Sequence, residues 1–219
     1  STVKLPISLL ALEWLAEQQN PAITADTIML TDSDAQWQTP QHTDPTAANG
    51  MPSVAHYIKQ ILLVSDNNSS NRLYELMGPD YINQKLVEKG LVNTVINHRL
   101  SVPMTETQNR SVNPIRFTDG AGKTILSLPQ RISHKEYFNA TKPTLGNGYY
   151  SQGKLINTPM DFTYKNRLSL VDLDGVVKRV IFPELFSLSQ QFHLRPSDRD
   201  LMLSYMSMLP PESVTPQYP

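Results

Sequence analysis

Ser1-Thr2-Val3-Lys4 leads into Leu5-Pro6-Ile7-Ser8-Leu9-Leu10-Ala11-Leu12-Glu13-Trp14-Leu15, and the reading of this stretch decides the fold. From Val3 to Ala16 apolar residues fall on every side of a helical period, with Glu13 and Glu17 as the one consistent polar edge. A helix that is apolar almost all round is a buried helix, on which other elements pack. Pro6 is compatible with it, because the first turn has no intrahelical acceptor for the N–H that proline lacks. Ser1 and Lys4 share one face of that helix. Negative charge developing on a hydroxyl is favoured at its positive end, and desolvation there lowers the pKa of a lysine until it serves as a base. Two plainer readings stand beside this one. Ser1 is then an N-cap with Lys4 reaching to water, or an N-terminal nucleophile that uses its own α-amine and leaves Lys4 without a role.

A chain of 219 residues buries a proper core, as one domain or two small lobes. A net charge of −1 with 18% charged residues gives no reason to expect a nucleic-acid partner or a polybasic membrane contact. Seventeen prolines against nine glycines point to long, stiffened loops. With no cysteine there is neither a disulfide nor thiolate chemistry. Lys4, Pro6 and Glu13 interrupt the opening apolar run well short of membrane-spanning length. No signal peptide precedes it, and a chain opening directly on a buried helix is expected to have lost its true N-terminus. The five histidines, at 42, 56, 98, 134 and 193, have no metal-ligand spacing, so no metal and no cofactor is expected.

Asn20-Pro21 closes the first helix, and residues 31 to 53 read as a long irregular connection. Ser53 caps a helix through Val54, Tyr57, Ile58, Ile61 and Leu62 that runs into Val64-Ser65-Asp66-Asn67. Asn68 or Ser69 caps the next, which Gly78-Pro79 stops, and a short helix follows from Asp80 to Lys89. Residues 93 to 114 read as loop. Ile115 to Thr118 and Thr124 to Leu128 form a hairpin. Gly122-Lys123-Thr124 is not a phosphate-binding loop, since Phe117 stands where the first glycine is needed. Pro143 to Gly153 reads as a further loop carrying Tyr149-Tyr150. Ser169 caps a helix through Val180, and Ser197 opens the last one, with Leu201, Met202, Tyr205, Met206 and Leu209 inward.

Ser65-Asp66-Asn67 lies between two helices, where a loop presents short polar side chains to a cleft; as a tripeptide it is equally a simple turn. A Ser-x-x-Lys opening a buried helix, followed by Ser-Asp-Asn in an interhelical loop, resembles the ordered motifs of serine β-lactamases and penicillin-binding proteins. Ser1 to Glu13 is similar to the nucleophile helix of class A β-lactamases, and Ser65 to Gly78 to their Ser-Asp-Asn loop and following helix. Asn157-Thr158-Pro159 with the Ser169 helix, and the helix from Ser197 to Leu209, resemble later parts of that fold. The resemblance implies an α+β, β-lactamase/transpeptidase-like domain over residues 1–219. It would be the helix-rich central segment, incomplete at both ends, since Lys123-Thr124 is followed by Ile125 and no third motif is present. The hairpin at 115 to 129 looks like an insertion against that background.

By position, the resemblance implies that Ser1 is acylated, that Lys4 is the base, and that Ser65 relays a proton to the leaving nitrogen. Asn67 would bind the substrate amide and Lys4, and Asp66 would brace the loop. Deacylation in the family uses a loop glutamate followed four residues later by asparagine. Here Glu106 has Asn109 three residues on, and reads either as that base or as a solvated loop charge. The implied substrate is a small molecule, a β-lactam or a related amide, met in the periplasm or outside the cell. The alternatives are an esterase or cell-wall peptidase with the same nucleophile, and a penicillin-binding sensor that stays acylated.

Overall fold

The structure, a computed structural model, describes residues 2–218; Ser1 and Pro219 lie outside the described residues. Helix α1 (Lys4–Glu17) is followed by strand β1 (Ile28–Thr31) and helices α2 (Val54–Val64), α3 (Asn67–Glu88) and α4 (Glu106–Arg110). Five short strands complete the first small sheets and open the next: β2 (Ser111–Val112), β3 (Ile115–Thr118), β4 (Thr124–Leu128), β5 (Arg131–Ile132) and β6 (Thr144–Leu145). Strands β7 (Tyr149–Ser151), β8 (Lys154–Ile156) and β9 (Met160–Asp161) precede helices α5 (Leu170–Ile181) and α6 (Pro196–Ser207). The class is α+β, as expected: helices carry the core and all strand pairing is antiparallel.

Helix α1 is the centre of the core, buried at Lys4 and from Pro6 through Leu15, with α2 and α3 against it. On a third side lies the sheet β1-β3-β4, in which Met29 pairs with Phe117. Phe117 is fully buried and stacks on Trp14 with ring centroids 6.1 Å apart. The 115–128 hairpin is therefore part of the core rather than an appendage to it.

The expected polar edge of α1 is not solvated at Glu13. Its carboxylate is buried and accepts from Lys89 Nζ at 2.8 Å, while Lys89 also donates to the Gln191 carbonyl at 2.7 Å. Only Glu17 reaches water, taking bonds from Lys85 Nζ and Tyr81 Oη. The polar edge of a buried helix is here an ion pair that staples it to the end of α3.

Several boundaries differ from those read in the sequence. Asp66, not Asn68 or Ser69, caps α3, its side chain accepting from the Ser69 N–H at 2.7 Å. Gly78-Pro79 breaks α3 where the sequence placed a stop: Gly78 is non-helical at φ 76° and ψ 161°, a conformation reserved for glycine, and two helical segments meet there across a kink. Strand β1 lies in a stretch for which the sequence predicts no element and ends where the irregular connection is expected to begin, and helix α4 lies in a stretch expected to be loop. The expected loop after Pro143 is a nested pair of hairpins, β7–β8 inside β6–β9, on which Tyr150 is exposed. Thr158-Pro159 leads into β9 rather than into a helix; α5 starts only at Ser169, whose hydroxyl caps Asp172 N–H. Helix α6 begins one residue before Ser197, with Pro196 in its first turn, and ends at Ser207, which leaves Leu209 exposed.

Removing Lys89 leaves the buried Glu13 carboxylate to the more distant Lys85 Nζ, 3.7 Å away, so Lys89→Met is expected to cost about 3 kcal/mol in urea unfolding. Glu13→Leu combined with Lys89→Met should recover most of that loss, because no charge is then left buried.

Candidate active site

Burial of α1 dictates the state of its first side chain. Lys4 is 3% exposed, and its Nζ has turned to the loop between α2 and α3. There it donates to the Ser65 backbone carbonyl and to Ser65 Oγ, the latter at 3.0 Å. Desolvation holds the Lys4 pKa below its ordinary value of 10.5, with the nearby Asp66 carboxylate opposing the shift.

Ser65 closes α2 in the left-handed conformation, at φ 56° and ψ 43°. Glycine is the usual residue there, and a serine costs about 1–2 kcal/mol. Its N–H still bonds back to the Ile61 carbonyl at 3.0 Å, so the helix ends with its last donor satisfied. The carbonyl and hydroxyl of Ser65 are both left facing Lys4 while the residue stays open to solvent. Strain of this kind collects at functional sites.

Asn67 is placed differently from the reading by resemblance. Its Nδ2 donates to Ser101 Oγ at 2.8 Å, and Lys4 Nζ is occupied by Ser65. Ser101 is itself left-handed, at φ 56°. It lines a cleft of about 640 Å³ together with Met104, Glu106, Asn109, Tyr164 and Lys165. Glu106 opens α4 under a Thr105 capping box, and its carboxylate is held by Arg110 Nε at 2.8 Å. The structure thus brings Lys4 and Ser65 into contact and joins Asn67 through Ser101 to the cleft that Glu106 lines. Ser1, the expected nucleophile, lies outside the described residues.

The segment 96 to 100, of which Asn97, His98 and Arg99 line the wall of this cleft, has no strand partner among the described residues. Asparagine side chains satisfy its backbone instead. The Ile96 N–H and carbonyl bond to Asn83, those of His98 to Asn166, and those of Leu100 to Asn71. Between them the Arg99 N–H donates to Asn109 Oδ1 at 2.9 Å, and the Arg99 guanidinium is committed to the buried Glu75 at 2.6 Å. A carboxamide offers one donor and one acceptor side by side, which is what an extended residue presents. Nothing in the sequence marked these residues; their only sign is an amide among the inward positions of a helix, as at Asn71 and Asn83 on α3.

A family model, Beta-lactamase2, described as the β-lactamase enzyme family, matches residues 1–137. The chain belongs to the β-lactamase enzyme family. Neither the curated proteins nor the solved structures compared with it give a match. The matched span contains the first four helices, the Ser-Asp-Asn loop and the three-stranded sheet, and so the whole Lys4–Ser65 constellation. Membership of the β-lactamase family makes the protein a hydrolase of serine type acting on a small molecule. Among the described residues no helix is long and apolar enough to cross a membrane.

A desolvated Lys4 is a stability liability. Its folded pKa lies below 10.5, so the penalty applies where Lys4 is protonated in both states and disappears as pH rises past 10.5, where both are neutral. Lys4→Met is expected to raise the neutral-pH melting temperature by about 2–4 °C. That gain should shrink steadily in melts run at increasingly alkaline pH.

Proposed function

We propose that the protein is an acyl-transfer hydrolase that forms an acyl-enzyme through Ser1, with β-lactams or related amides as substrates. Lys4 takes the Ser1 hydroxyl proton as Ser1 Oγ bonds to the substrate carbonyl carbon. When the C–N bond breaks, that proton passes from Lys4 through Ser65 Oγ to the leaving nitrogen. The observation that carries this reading is the buried Lys4 Nζ, 3.0 Å from the hydroxyl of a solvent-open Ser65. It pairs a base of lowered pKa with a route for its proton, which a general base catalysing amide cleavage needs. Asn67, anchored by one amide hydrogen to Ser101, keeps the other for the substrate carbonyl. The same reading puts the protein in the periplasm or outside the cell, where such amides are met.

Ser1→Ala should abolish labelling by a fluorescent penicillin or a fluorophosphonate, and Lys4→Arg should reduce it nearly as far, because guanidinium stays protonated. Persistent labelling of Ser1→Ala, or an adduct mapped to Ser65, would reject the assignment.

Deacylation is the slow step on this reading, since the Glu106 carboxylate is engaged by Arg110. Glu106→Gln is accordingly expected to change the lifetime of the penicillin adduct by no more than about threefold. A base acting on the deacylating water would be worth about a hundredfold or more, so pulse-chase mass spectrometry of the adduct separates the two roles.

A further inference from the structure

The Ser65-Asp66-Asn67 loop is gripped at both ends by one residue that no part of the mechanism uses. Gln60 lies one turn before the end of α2. Its backbone carbonyl accepts from the Asp66 N–H at 3.3 Å, on the near side of the loop. Its side chain reaches the far side, where Oε1 accepts from Ser69 Oγ at 2.5 Å. The Ser69 N–H in turn is capped by Asp66. Gln60 therefore closes a ring of hydrogen bonds around the strained serine and its neighbours.

The carboxamide is oriented by a partly buried cluster on the preceding connection. Gln60 Nε2 donates to Thr46 Oγ1 at 3.0 Å and to Asp44 Oδ2 at 3.3 Å. Thr46 has one hydroxyl hydrogen, and Asp44 Oδ1 takes it at 2.6 Å. The 2.8 Å contact between Thr46 Oγ1 and His56 Nε2 must then be donated by the histidine. Burial keeps His56 neutral toward lower pH against the pull of Asp44, with Lys59 adding to the shift, and its Nε2 carries the proton. Every donor in the cluster is thereby assigned, and the amide of Gln60 has one orientation, nitrogen to Asp44 and Thr46, oxygen to Ser69.

We propose that Gln60 is a positioning residue for the acylation site: it holds Ser65 left-handed, and so keeps the Ser65 hydroxyl on Lys4 Nζ. The proposal rests on the acylation reading above. A displacement of this hydroxyl by an ångström costs about tenfold to a hundredfold in rate, and the loss falls on the chemical step rather than on capture of the probe.

The test measures acylation by a fluorescent penicillin at saturating concentration, per folded protein as judged by near-UV circular dichroism, for wild type, Gln60→Ala, Gln60→Glu and Ser1→Ala. A glutamate at this position, once protonated, offers the same donor and acceptor as the amide; ionised, it faces Asp44 and cannot donate to Thr46. Gln60→Ala is expected to be slower than wild type by about tenfold or more at every pH from about 5 to about 8. Gln60→Glu should be equally slow at the alkaline end, and its ratio to wild type should climb as pH falls. A Gln60→Ala rate within about twofold of wild type, a Gln60→Glu ratio that stays flat, or a loss that merely follows the unfolded fraction overturns the proposal. Labelling that survives in Ser1→Ala overturns the acylation reading itself, and the two failures are thus told apart.

Discussion

A lysine ammonium carried into the core on the first turn of a helix that has no wet side is the constraint on which this structure depends. Helix α1 is enclosed by α2, α3 and the β1-β3-β4 sheet, so Lys4 cannot reach water past its neighbours. Among the described residues its acceptors lie where α2 breaks, and the break is shaped for it: Ser65 adopts a backbone conformation that serine disfavours and turns two oxygens toward the ammonium. Burial lowers the pKa of the lysine, and the left-handed serine gives it a partner. Neither feature favours folding by itself. Both are maintained by the packing of α1, whose apolar surface outweighs them.

Two buried carboxylates obey the same rule, each being matched by specific cations. Glu13 has Lys89, and Glu75 lies between Arg72 at 2.9 Å and Arg99 at 2.6 Å. The Glu13–Lys89 and Glu75–Arg99 pairs join segments distant in sequence, the start of the chain to the end of α3 and the middle of α3 to the wall of the cleft. Their contribution is to specify which segments meet more than to add net stability.

How much of this was legible in the sequence depended on whether the cause was local. The all-apolar period of α1, the Ser53 and Ser169 caps and the 115–128 hairpin are set by neighbours within a few residues, and they were read correctly. Strand β1 was missed because four residues, Ile28 to Thr31, acquire their meaning only from pairing with β3. The first part of the nested hairpins, Pro143 to Gly153, was read as loop for the same reason. Glu13 looked like a solvated edge because Lys89 lies far along the chain. In the site, the pairing of Lys4 with the Ser65 loop followed from motif order, whereas the tie from Asn67 to Ser101 rests on a loop whose path no local pattern announces. The ion pair of Glu106 with Arg110 was within reach, one helical turn apart, but required the stretch to be recognised as helix α4.

The asparagine-bonded wall of the cleft has a consequence for the order in which the molecule assembles and comes apart. A strand in a ladder zips residue by residue, each pair placing the next. Residues 96, 98 and 100 instead take their partners from Asn83, Asn166 and Asn71, three sites with no register between them. One of those partners arrives only after the chain has travelled through the nested hairpins and returned. The wall is therefore completed late, after α3 is in place and the segment around Asn166 has docked, since contacts of long sequence separation carry the larger closure entropy. It also has no means of fraying from one end: release of Asn166 frees both backbone groups of His98 together. Such a segment opens as a unit, below the free energy of global unfolding, and the cleft beside the Ser65 loop is in this respect a separate cooperative unit seated on a rigid helical core.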